Sequence, residues 1–130
     1  MKKLAAILMA GLFLFVTNPV VYAKTINEAD TELTETLKYA LISSLRKPVN
    51  KAVSEIYRGD KNAPDGLTWA AYDTDIMEIK QVFGVGGLYK IKLKVHPYYG
   101  AHNMDGEDEV VVNTDGKLLS YRHLKTYTKH

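Results

Sequence analysis

The stretch Pro97 to Asp108 reads Pro-Tyr-Tyr-Gly-Ala-His-Asn-Met-Asp-Gly-Glu-Asp and holds the chain's densest set of chemically competent side chains. His102 is the one imidazole among them, and imidazole is the side chain poised to exchange a proton near neutral pH. Asp105, Glu107 and Asp108 add carboxylates. Imidazole with carboxylates suits zinc, and carboxylates alone suit calcium. The spacing, however, is not that of a calcium loop, which places oxygen ligands at alternate positions before a glycine and a closing glutamate. A nucleophile for covalent catalysis is also missing: the chain has no cysteine, and Ser43, Ser44, Ser54 and Ser120 fall on helical or strand patterns. The segment therefore reads first as a binding surface. Tyr98 and Tyr99 offer flat apolar faces with polar rims, and His102, Asn103 and Asp105 offer hydrogen bonds. No cofactor is required by this reading. The competing chemistry is a small hydrolase or metal-binding protein using His102 and the neighbouring carboxylates.

The elements that must carry this segment follow from periodicity. On its N-terminal side Leu33, Leu37, Leu41, Leu45, Val49, Val53 and Ile56 recur at steps of three or four, which draws one apolar stripe along a helix. Asn27 suits an N-cap, and Gly59 suits a stop. Pro48 removes a backbone donor and crowds the preceding turn, so the helix is expected to kink or split there. Trp69 reads as a core residue. From Asp75 the period becomes two. Strands are predicted at 75–83, 88–96, 108–113 and 118–124. The second is the clearest, with Tyr89, Ile91, Leu93 and Val95 alternating with Lys90, Lys92, Lys94 and His96. The lysine row is the wet face of that strand. Asp115-Gly116 carries a hairpin signal. The fold class is α+β: an N-terminal helix, kinked or split near Pro48, packed on a four-stranded antiparallel meander.

The first residues set the compartment. Lys2 and Lys3 precede an unbroken apolar run from Leu4 to Val16, followed by Thr17, Asn18, Pro19 and the small-residue site Val21-Tyr22-Ala23. This is the layout of a signal peptide over residues 1–23, cut between Ala23 and Lys24. A run of 13 residues falls short of the roughly 20 that span a bilayer. Membrane contact is expected only through an uncleaved leader, and the mature protein, 24–130, is a single secreted domain. With 17 basic and 15 acidic residues in the whole chain, loss of Lys2 and Lys3 leaves the charges balanced. Nucleic acid, which calls for a basic surplus, is not an expected partner. An extracellular or envelope protein, a peptide or a glycan is. The absence of cysteine excludes a disulfide scaffold and fits a bacterial exporter.

Two blocks carry a resemblance. Ala40-Leu41-Ile42 through Val49, Ala52, Ile56-Tyr57 and Gly59 form one. Tyr72-Asp73, Ile76-Met77-Glu78-Ile79-Lys80 and the Gly100-Ala101-His102-Asn103 element form the other. Together they resemble a family of small secreted proteins of Gram-positive, spore-forming bacilli, known only as a domain of unknown function. The resemblance implies a secreted single domain and no established activity. Met104-Asp105-Gly106 departs from the proline-rich stretch expected after Asn103 in that family. A shorter likeness, Val110 to Ser120, looks like the terminal hairpin of PepSY-type domains, which are extracytoplasmic modules linked to peptidase regulation.

Overall fold

A computed structural model describes residues 31–128, so the leader, its cleavage site and Asn27 lie outside the described residues. The chain divides into two compact units between Lys38 and Tyr39. In the first, residues 31–38 are helical, with Leu33 and Leu37 exposed. All that follows concerns the second unit. Helix α1 of this unit, residues 39–44, ends in a turn at Leu45, and α2 spans Arg46–Ile56. The helix is thus split, and Pro48 occupies the first turn of α2, where its missing N–H has no intrahelical partner to lose. α2 stops at Ile56, three residues before the expected glycine. Gly59, with φ of 76°, shapes the following turn instead.

The sheet is the expected α+β meander. Strands β1 (Asp75–Gln81), β2 (Tyr89–Val95), β5 (Gly106–Asn113) and β6 (Leu118–Thr126) pair antiparallel in that spatial order. The segment predicted as one long loop is more ordered. Within it β3 (Tyr98–Tyr99) and β4 (Asn103–Met104) form a small hairpin of their own. Thr68 and Tyr98 exchange backbone hydrogen bonds of 2.9 and 2.8 Å, which ties that hairpin to the segment after α2.

Alternation in β2 resolves as expected. Ile91, Leu93 and Val95 are buried, while Lys90, Lys92 and Lys94 point to the other face. Val110 and Val112 of β5 share the buried face, against Ile42, Leu45, Val49, Ala52 and Val53 from the helices. Trp69 joins this core, its Nε1–H donating to Asn50 Oδ1 at 2.7 Å under the Arg46 guanidinium. Among the described residues no helix is long and apolar enough to cross a membrane.

Candidate functional site

At the end of the sheet where β2 stops and β5 begins, polar side chains gather in two constellations. The outer one is built on the β3–β4 hairpin. Its three-residue loop, Gly100-Ala101-His102, closes with His102 at φ 65°. That left-handed region favours glycine and costs other residues about 1 kcal/mol or more, so surrounding contacts must hold the imidazole there. They are specific. The ring contacts Tyr98, at 4.1 Å between centroids, and Tyr72, stacked at 5.8 Å and 15°. Nε2–H donates to Asp73 Oδ2 at 2.6 Å, and the Tyr72 hydroxyl approaches Nδ1 at 3.3 Å. Tyr72 and Asp73 come from a 3-10 turn, Ala71–Asp73, fixed by the Thr74 hydroxyl donating to Ala70 O at 2.8 Å.

Both His102 nitrogens are therefore occupied within the protein. Partial desolvation, with Tyr98 and Asp73 nearby, raises the Tyr72 pKa above the ordinary tyrosine value. What His102 does is hold the Tyr72 ring and the Asp73 carboxylate in fixed positions. These two side chains then form one wall of an open cleft of about 490 Å³, completed by Asp75, His96, Met104 and Tyr127. His96 Nε2 lies 3.6 Å from Asp75 Oδ2.

The inner constellation centres on Asp108, which is fully buried. Tyr57 donates to its Oδ2 at 2.8 Å, and His123 Nδ1–H donates to its Oδ1 at 2.7 Å. Thr126 Oγ1 meets His123 Nε2 at 2.7 Å. Burial raises the Asp108 pKa, and the two hydrogen bonds partly oppose that rise. Tyr57 is pushed far above the usual phenol range by its own burial and by the carboxylate beside it. The order carboxylate, imidazole, hydroxyl resembles a nucleophilic relay, but Thr126 is not among the residues lining the cleft beside Tyr72 and Asp73. The arrangement braces α2 to β5 and β6. Gly106 makes room for it: a Cβ there would stand 2.1 Å from the Lys125 carbonyl oxygen and 3.4 Å from the His123 ring.

The sequence-derived residues separate accordingly. Tyr98 and His102 touch. Tyr99 pairs across the hairpin with Asn103, which is exposed. Asp105 is buried, and its backbone bridges Pro97 and Tyr127 through hydrogen bonds of 2.9 and 2.8 Å. Glu107 accepts from the Tyr127 hydroxyl at 2.8 Å, which lowers its pKa. Of the metal reading, the side chains of His102, Glu107 and Asp108 thus engage different partners. Among the described residues no three His, Asp or Glu side chains are grouped to hold an ion. Tyr57, Tyr72 and Asp73 enter the sequence reading only through the blocks of resemblance, not as site residues, and His123 does not enter it. The Asp73–His102 pair joins residues 29 positions apart, and no local spacing signals such a contact.

A model of the family described as "Protein of unknown function (DUF3888)" matches residues 37–125. The chain belongs to this family. The match takes in the core-facing residues of both helices, the hairpin and most of β6, and so spans every residue of the two constellations except Thr126. Neither a search of curated proteins nor a search of solved structures finds a match.

Proposed function

We propose that this DUF3888 domain is a non-catalytic binding module, exported by a Gram-positive bacterium, that captures a basic peptide segment in the cleft beside His102. One observation carries the reading: His102 directs its two nitrogens at Asp73 and the Tyr72 hydroxyl and stacks on the Tyr72 ring, and Tyr72 and Asp73 line that cleft. Fixing such groups before the ligand arrives reduces the ordering cost of binding. The walls combine two carboxylates, Asp73 and Asp75, with the rings of Tyr72 and Tyr127. A lysine or arginine side chain would meet both an opposite charge and an aromatic face there. Export is supported by the leader-like residues 1–23. The hydrolase alternative draws less support, because His102 is committed to positioning.

The test is titration of the isotope-labelled protein with the tripeptides Ala-Lys-Ala, Ala-Arg-Ala and Ala-Gln-Ala. Saturable amide shifts at Tyr72, Asp75 and Tyr127 with the first two and not the third are expected, and Asp75→Asn should weaken them. Equal responses to all three peptides, or none, would reject the reading. Export is tested separately by N-terminal sequencing of protein recovered from culture medium, where Lys24 should come first.

A further inference from the structure

The opposite end of the sheet has a different character. There β1 and β2 are joined by Val82-Phe83-Gly84-Val85-Gly86-Gly87-Leu88. Phe83 is 76% exposed, Val85 is 106% exposed and Val82 is 52% exposed. A loop with three apolar side chains in water would ordinarily collapse onto the core. This one is held out by its backbone. Val82 N–H donates to Leu88 O at 2.8 Å, and Gly87 N–H donates to Gly84 O at 3.3 Å. A Cβ at Gly87 would fall 1.8 Å from the Phe83 carbonyl oxygen, so the conformation depends on glycine there.

Cations surround this tip. Lys80 and Lys90 face one another across the β1–β2 ladder, a like-charge pair that costs stability in water. Among the described residues neither makes an ion pair, whereas Lys92, two pairs further along, is matched by Glu78 at 3.8 Å. The same end holds the β5–β6 turn and the start of α2, which bring Lys117, Lys47 and Lys51 around one cleft, with Asp115 as the only acid in its lining. The acidic side chains Asp73, Asp75, Asp105 and Glu107 lie at the other end.

We infer that the β1–β2 tip docks on an anionic lipid bilayer, with Phe83 and Val85 entering the interface and Lys80 and Lys90 contacting headgroup phosphates. Exposed apolar side chains with flanking lysines are the two components of interfacial binding, partition into the acyl boundary and attraction to negative surface charge. The charge arrangement selects this occupant. A second copy of the chain would bring Lys80 and Lys90 against their own equivalents. A soluble polyanion would satisfy the lysines and leave Phe83 and Val85 in water. The assignment does not depend on the cleft at the other end of the sheet.

The test uses the full chain carrying Phe83→Trp, with the unsubstituted chain, whose only tryptophan is the buried Trp69, as the control. Vesicles of phosphatidylcholine alone, or of equal parts phosphatidylcholine and phosphatidylglycerol, carry brominated acyl chains that quench nearby indoles. The expected result is stronger quenching of the Phe83→Trp chain than of the unsubstituted chain, on the anionic vesicles only. Lys80→Gln with Lys90→Gln should raise the lipid concentration for half-quenching by tenfold or more, at about fivefold per lysine. Because the leader is common to all these chains, it does not enter the comparison. Equal quenching on neutral and anionic vesicles, or quenching no stronger than that of Trp69 alone, would overturn the inference. So would a Phe83-dependent dimer in sedimentation velocity without lipid, or retention on polyphosphate with no quenching on vesicles.

Discussion

Replacing Tyr57 by phenylalanine removes one atom from the inner constellation and makes a sharp prediction. Asp108 is fully buried and accepts one side-chain hydrogen bond on each oxygen, from Tyr57 on Oδ2 and from His123 on Oδ1. Tyr57→Phe keeps the ring, including its edge contact with His123 at 5.9 Å, and strips the donor from Oδ2. A hydrogen bond to a charged group is worth about 1.5–3 kcal/mol, and a buried acceptor left without a partner lies in the same range. We expect a loss of about 2 kcal/mol, a large share of the roughly 5–15 kcal/mol that holds a small domain folded. In urea this corresponds to a midpoint shift on the order of 1 M, with an unchanged slope. The control is the same substitution in an Asp108→Asn background, where the carboxylate is gone and the cost of losing the hydroxyl should fall below about 1 kcal/mol. Equal losses in the two backgrounds would refute the reasoning, for they would show that the hydroxyl acts through something other than the Asp108 bond.

The pH dependence follows from the same carboxyl. Burial raises its folded pKa above the ordinary 3.8, so in that window the folded state holds more protons than the unfolded one. Its contribution to stability is full below the unfolded pKa and is lost as pH rises through the folded pKa. The stability of the native chain relative to Asp108→Asn, measured by urea unfolding from pH 3.5 upward, should therefore decline as pH rises; an increase would contradict the sign. Leu93→Asp places a charge on a fully buried face and should cost several kcal/mol, whereas Lys92→Asp, on the other face, should cost under about 1 kcal/mol. Gly106→Ala drives a methyl against the Lys125 carbonyl and should destabilise the domain by about 1–3 kcal/mol, with the His123 ring resonances displaced. His102→Gly and His102→Ala both remove the imidazole, yet glycine accepts the positive φ at position 102. Calorimetry should show the glycine variant to be the more stable by roughly 1 kcal/mol.

How much of this the sequence reveals depends on whether the governing contact is local. β2 is plain to read because each of its faces has a single environment, lysine outward and aliphatic inward. β5 is harder. Val111 points away from the helices and is still only 7% exposed, beside Lys92 and Ser120 on the neighbouring strands, so Val110-Val111-Val112 shows no alternation. The β3–β4 hairpin has two residues per strand, too few for any period to register. His102 is conspicuous by residue type, but its partners come from the Ala71–Asp73 turn. Asp108 meets His123 through a ladder whose register shifts between Glu107 and Asp108, and such a shift leaves no mark in composition. The split near Pro48 is legible because proline acts on its own helix.

The connectivity of the sheet bears on how the molecule comes apart. Its ladders join consecutive hairpins, and such contacts close early at small entropic cost. The bonds that fasten the second helix are of another kind: Tyr57 reaches Asp108 across 51 positions, and Tyr121 reaches Glu55 across 66. We expect these to form after the hairpins are in place, outside the folding transition state, so Tyr57→Phe should leave the folding rate nearly unchanged and accelerate unfolding. Stopped-flow chevrons would show the whole change in the unfolding arm. The lifetime of the native state is then set at the seam between α2 and β5, while the speed of reaching it is set within the meander.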